Sequence, residues 1–131
     1  MSSINLIAIV DDDEVHQFTL KKQIEFSGLS EEIIVFSDGE EVFKHFEANL
    51  ENQDRIPEVI FLDINMPIMD GWDFVSEFKR LKSSIDKEVS IYMVSSSIRE
   101  EDIRRAKGIP EISDYIVKPI SSQTLFNLIQ V

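Results

Sequence analysis

Four short clusters of side chains in this sequence could handle charge. Asp11-Asp12-Asp13-Glu14 is a run of acids, Asp63 stands among apolar residues, Ser95-Ser96-Ser97 offers hydroxyls, and Lys118 precedes Pro119. Two carboxylates held ~4–5 Å apart repel by about 3–4 kcal/mol at an effective dielectric near 20. A fold that gathered Asp11, Asp12 and Asp63 would need a cation, a proton or solvent between them. Lys118 brings one positive charge against three negative ones, so a divalent cation is the simplest balance. A donor set made only of oxygen favours a hard ion such as Mg²⁺, which would keep part of its water and leave a position for a phosphate oxygen. An aspartate carboxylate can attack phosphorus. The transfer then needs positioning and neutralisation of oxygen charge, for which a hydroxyl, an ammonium and a metal are suitable groups.

Each cluster also has an ordinary reading. An acid run before a helix favours the helix dipole, Asp70-Gly71 is a turn signal, and a lone lysine is normally a surface residue. Asn65-Met66-Pro67 reads as a turn before a helix, Trp72 as a partly exposed helix residue, and His16 and His45 as surface helix residues. What shifts the balance is position, because each cluster directly follows an apolar run of strand length. These runs are Leu6 to Val10, Val59 to Leu62, Ile91 to Val94 and Tyr115 to Val117, with a fifth at Ile33 to Phe36 that leads into Ser37-Asp38. Unbroken apolar runs predict strands buried on both faces, as in a parallel sheet covered by helices. In such sheets ligands bind beyond the carboxyl ends of the strands.

Helical spacing fills the intervals. Val42, Phe43, Phe46 and Leu50 form one stripe, Phe74, Val75, Phe78 and Leu81 a second, and Leu125, Leu128 and Ile129 a third. Glu14 to Ser27 reads as helix by length, although Val15, Phe18, Leu20 and Ile24 form no single stripe. Ile98 to Lys107 reads as a short charged helix. Ser37 and Asp38 are N-cap candidates with an acid three residues on, and Ser121 and Ser122 can cap the last helix. Gly28 and Gly108 fall where a left-handed C-terminal residue is wanted. Asn49 to Pro57 is a polar connection and the expected mobile loop. Five strands alternating with five helices give a doubly wound α/β fold.

Composition narrows the function. At 131 residues one domain is expected, and 43% hydrophobic with 29% charged residues suits a folded globular chain. A net charge of −12 opposes direct nucleic-acid binding. The absence of cysteine excludes disulfides and thiolate metal sites. No apolar run is long enough for a membrane span, and the N-terminus lacks signal-peptide character, so a cytoplasmic location is expected.

On Ile9-Val10-Asp11-Asp12-Asp13, Phe61-Leu62-Asp63-Ile64-Asn65-Met66-Pro67-Ile68-Met69-Asp70-Gly71, Met93-Val94-Ser95-Ser96 and Tyr115-Ile116-Val117-Lys118-Pro119, the chain resembles the response-regulator receiver domains of two-component signalling, the CheY-like superfamily. The resemblance implies a five-stranded parallel sheet of order 2-1-3-4-5 with five flanking helices. It implies Asp63 as phosphoryl acceptor, and Mg²⁺ held by Asp12, Asp63 and the Asn65 backbone carbonyl, with Asp11 acting through water. Ser95 and Lys118 would engage the phosphoryl group, and backbone N–H groups of Ile64, Asn65 and Ser96 would help to cradle it. Tyr115 would be a switch aromatic that follows Ser95, and the Lys118–Pro119 bond would be cis. Ser95 stands where threonine is commoner, and Ser96 where alanine or glycine is.

The expectation is a single receiver domain over 1–131, with its core about 5–131 and no output domain. Its partners would be a histidine kinase or phosphotransfer protein and an unidentified downstream protein, as a monomer or weak dimer. It would be no enzyme beyond its own phosphorylation and dephosphorylation. The alternative is a phosphorylation-independent interaction module on the same fold. An aspartyl phosphohydrolase would want an acid where Asn65 stands, and a flavin protein would want no acids after strand one.

Overall fold

The computed structural model describes residues 4–129. Five strands and five helices alternate: β1 (Ile4–Val10), α1 (Glu14–Ser27), β2 (Ser30–Phe36), α2 (Gly39–Ala48), β3 (Val59–Leu62), α3 (Gly71–Leu81), β4 (Ser90–Ser95), α4 (Glu100–Lys107), β5 (Ile112–Val117) and α5 (Ser122–Ile129). All neighbouring strands pair in parallel, in the order β2-β1-β3-β4-β5. The alternation of strand and helix signals predicts a doubly wound α/β sheet, and the order is the CheY-like, flavodoxin-type one that the resemblance implies.

Alternate residues of the inner strands feed two cores. Ala8, Val10, Ile60, Leu62, Ile91 and Met93 pack with Val42, Phe46, Phe74 and Phe78 of α2 and α3. Ile7, Ile9, Phe61, Val94 and Ile116 pack with Leu20 and Ile24 of α1 and Leu125 of α5. Edge-to-face contacts of Phe46 with Phe74 and Phe78, at centroid distances of 5.9 and 5.7 Å, join α2 to α3. Burying two faces explains the continuous apolar texture of β1 and β3.

The edges differ from the sequence expectation. β2 begins at Ser30 and β5 at Ile112, so Glu31, Glu32, Ser113 and Asp114 lie within strands and are exposed. An edge strand needs no apolar side chain on every position. Val15, Phe18 and Phe26 of α1 are exposed, which is why that helix shows no stripe. Asn49 to Pro57 is ordered by a 3₁₀ turn at Gln53–Arg55, by the Gln53 side chain accepting from Asp86 N–H at 2.9 Å, and by buried Ile56.

Caps set the helix limits. Asp13 accepts from the N–H groups of Val15 and His16 at 2.9 and 3.3 Å, so for this acid the ordinary reading holds. Asp38 accepts from Glu41 N–H, and Ser121 Oγ from Thr124 N–H. Gly28 takes φ 67° as expected, but Gly108 does not: with φ −84° its N–H still reaches the Arg104 and Arg105 carbonyls in right-handed geometry. α4 starts at Glu100 rather than Ile98, because Arg99 is extended and Ser97 Oγ accepts its N–H. Asp70 and Asp73 form a reciprocal capping box at α3. Asp70→Ala is expected to lower stability by about 1 kcal/mol in chemical denaturation, with the slope of the transition unchanged.

Candidate functional site

Strand pairing continues one residue past the strands, and this assembles the rim. Asp63 N–H donates to the Val10 carbonyl at 2.9 Å, Asp11 N–H to Phe36 at 3.0 Å, and Lys118 N–H to Ser95 at 2.9 Å. With Val10 beside Leu62 and Ser95 beside Val117 in register, Asp11, Asp63, Ser95 and Lys118 share the carboxyl edge of the sheet. Ligand oxygens of Asp11, Asp12 and Asp63 lie within 4.8 Å of one another. Lys118 Nζ sits 2.8 Å from Asp11 Oδ2 and 3.6 Å from Asp63 Oδ2. Asp11 and Asp63 are only 2% and 6% exposed, whereas Asp12 faces solvent. The Lys118–Pro119 peptide is cis.

Burial and crowding separate the two buried acids. Burial, then the Asp11 charge, push the Asp63 carboxyl up to about 6 against the pull of Lys118 and the Ile64 N–H. Burial acts on Asp11 in the same direction, but hydrogen bonds from His16, Lys118 and the Asp13 N–H outweigh it and hold Asp11 below the usual carboxylate range. Lys118 is likewise opposed by burial, yet its bond to Asp11 and the charge of Asp63 raise its pKa. The pocket therefore contains one firmly ionised acid and one whose charge is poorly compensated. Such a carboxylate gains most from a cation or from covalent conversion.

Ile64 N–H donates to Asp63 Oδ1 at 2.9 Å. Ser95 is fully buried, and its Oγ accepts from Ser97 N–H at 3.1 Å. Asn65 and Ser96 are exposed on the two loops that border Asp63. Tyr115 lies outside the acid cluster: its hydroxyl donates to the Ser97 carbonyl at 2.9 Å, tying β5 to the loop before α4.

A sequence model for the response regulator receiver domain matches residues 7–130. The chain belongs to the response regulator receiver domains. Among solved receivers, a two-component response regulator from Cytophaga hutchinsonii is 27% identical, with 97% of this chain and 95% of that one covered and a TM-score of 0.87. A response regulator receiver protein from Dyadobacter fermentans is 28% identical, covering 94% and 93%, with a TM-score of 0.81. A chain of the CheX-CheY-BeF3-Mg²⁺ complex from Borrelia burgdorferi is 26% identical, covering 95% and 88%, with a TM-score of 0.72. The receiver spans less than half the length of several curated relatives, which include transcriptional regulators.

Five features of this receiver's site differ from, or are missing in, the sequence reading. His16 is not a surface residue: its Nδ1 lies 2.6 Å from Asp11 Oδ2, and its side chain is 12% exposed. It occupies the third position of α1, whose side chains reach back toward the helix start, and that offset from the acids was the available signal. His45 is also held, with Nε2 2.7 Å from the Arg55 carbonyl and its ring against Phe36. Trp72 is 8% exposed and lies under the Arg105 guanidinium of α4, 4.4 Å from the ring centroid. Gly71 packs directly on the Asp63–Ile64 backbone and donates its N–H to the Ile64 carbonyl at 2.8 Å. Gly39 does the same service against Met69, where an added Cβ would stand 2.6 Å from the carbonyl oxygen.

Proposed function

We propose that this receiver accepts a phosphoryl group on Asp63 from a histidine kinase or phosphotransfer protein, with Mg²⁺ as cofactor. The observation that carries the reading is the convergence of Asp11, Asp12 and Asp63 with Lys118 at one rim. The donor set fits a hard divalent ion, since it is all oxygen and partly open to water through Asp12. Asp12, Asp63 and the Asn65 backbone carbonyl would hold it directly, and Asp11 through a water. Bound there, Mg²⁺ supplies neutralisation and orientation of phosphoryl oxygens. That a relative, Borrelia CheY, is found with BeF3 and Mg²⁺ supports the same preference here.

The chain's own groups account for the rest of the step. An Asp63 carboxylate oxygen attacks phosphorus and forms the new P–O bond. The bond from phosphorus to the donor's imidazole nitrogen breaks, and its electron pair leaves with that imidazole. Lys118 moves from Asp11 to a phosphoryl oxygen, and Ser95 donates its hydroxyl hydrogen to another. The backbone N–H groups of Ile64, Asn65 and Ser96 contribute further donors. Hydrolysis of the acyl phosphate by water later resets the site. A shift of Ser95 would carry Ser97 with it, and through the Ser97 carbonyl the Tyr115 hydroxyl, toward the surface of α4, β5 and α5. That surface is where a downstream protein would read the state. A phosphorylation-independent module is not favoured, because it would leave the repelling acids without a task.

The domain reading is one receiver over 1–131, acting on itself rather than on a small-molecule substrate, in the cytoplasm. No helix among the described residues is long and apolar enough to cross a membrane. Acetyl phosphate with Mg²⁺ is expected to add one phosphoryl group to the wild type by intact mass, and none after chelation or in Asp63→Asn. Equal labelling of Asp63→Asn would overturn the assignment of the acceptor.

A further inference from the structure

We infer that His16 is a positioning residue that keeps Asp11 in place while Lys118 changes partner. The inference deepens the phosphoacceptor reading and rests on it. Asp11 Oδ2 is shared by two groups, His16 Nδ1 at 2.6 Å and Lys118 Nζ at 2.8 Å, while Oδ1 receives the Asp13 N–H at 2.9 Å. An ionised carboxylate only accepts hydrogen bonds, so Nδ1 carries a proton in either charge state of the ring. The ring has little freedom. It sits on the first turn of α1, which Asp13 caps, and the next residue, Gln17, binds the Asp11 carbonyl through its side-chain amide.

Phosphorylation creates the need for this contact. Lys118 Nζ stands 3.6 Å from Asp63 Oδ2, beyond hydrogen-bond distance. A phosphoryl group adds about −1.5 to −2 charge, which draws the ammonium away from Asp11. Asp11 is 2% exposed, so losing its ammonium partner leaves a buried carboxylate that bulk water does not reach, served by the Asp13 N–H and at most the one water shared with Mg²⁺. With His16 in place Oδ2 keeps one donor throughout the exchange. Without it, Lys118 is the one side chain left on the Asp11 carboxylate among the described residues and is retained there. The imidazole thus divides the lysine between the two acids, and it does so without lying among the clustered ligand oxygens of Asp11, Asp12 and Asp63.

The test compares wild type, His16→Leu and His16→Gln as full chains, the last retaining a side-chain N–H donor. Mg²⁺ affinity is read from Trp72 fluorescence with no phosphodonor present, and the labelling rate from acetyl phosphate at saturating Mg²⁺. His16→Leu is expected to label roughly tenfold more slowly, the worth of one hydrogen bond to a charged group. Its Mg²⁺ affinity should stay within about threefold of wild type, and His16→Gln should recover most of the rate. Wild-type speed in His16→Leu, equal slowness in His16→Gln, or an Mg²⁺ affinity that falls in step with the rate would each overturn the role. If His16→Leu does not fold by circular dichroism, His16→Ala takes its place. A wild type that takes no phosphoryl group refutes the acceptor reading itself, whereas a wild type that labels alongside an equally fast His16→Leu refutes only the role of His16.

Discussion

Asp63→Asn is expected to make the metal-free protein more stable at about pH 8, although it removes the residue on which the proposed function depends. The folded Asp63 carboxyl titrates at about 6 rather than 3.8, chiefly through burial and then the neighbouring Asp11 charge. Between these values the native state binds more protons than the unfolded chain, so stability falls as pH rises through the window. Well above it the ionised carboxylate costs up to roughly 3 kcal/mol, at about 1.4 kcal/mol per unit. Asparagine keeps the shape and the oxygen that accepts from Ile64 N–H, but not the charge. Calorimetry with a chelator should show a melting temperature higher by roughly 5–10 °C at pH 8. At about pH 4 the wild-type carboxyl is mostly protonated and the gap should close. Saturating Mg²⁺ should raise the wild type far more than the variant. A variant less stable than wild type at pH 8 would show that the acid cluster is not strained by its own charge.

Gly71→Ala is expected to damage both fold and site. The added methyl group would fall inside contact distance of the Asp63 carbonyl oxygen and 3.0 Å from Ile64 Cα, and both obstacles are backbone. Alanine is the better helix former by about 1 kcal/mol, but the clash exceeds that gain. Overpacking of this kind costs ~1–3 kcal/mol, and here it displaces the peptide that carries the proposed acceptor. Denaturant unfolding should show a net loss of about 2 kcal/mol, and the acetyl phosphate rate should fall with it. A variant with unchanged stability would mean that the loop before α3 can withdraw freely from β3.

Much of this was readable from residue order. Continuous apolar runs identify β1 and β3 because both faces of those strands are covered, and the acids that follow them then have only one place to be. The edges were harder to read, since β2 and β5 carry Glu31, Glu32, Ser113 and Asp114 within their paired lengths. Gly108 misled because glycine after a helix suggests a left-handed turn, while here the main chain simply continues a right-handed one. Trp72 is covered by Arg105 from a helix more than thirty residues away, and no local pattern encodes that contact. His16 was partly legible: its offset from the acids was in view, but one imidazole on a helix without an apolar stripe looks like surface. Asn49 to Pro57 is polar and still ordered, because its partners at Asp86 and in the core lie far along the chain.

The sheet order gives the pocket two mechanically unequal halves. Asp11, Asp12 and Asp63 hang from β1 and β3, which are flanked by strands on both sides and packed by helices above and below. Ser95 hangs from β4, which is likewise flanked on both sides, but Lys118 hangs from β5, an edge strand of the sheet. On the proposed reading, a force drawing Lys118 toward Asp63 would meet a stiff anvil at β1 and β3 and a compliant margin at β5, so displacement would run outward past Tyr115 while the anionic bank stays put.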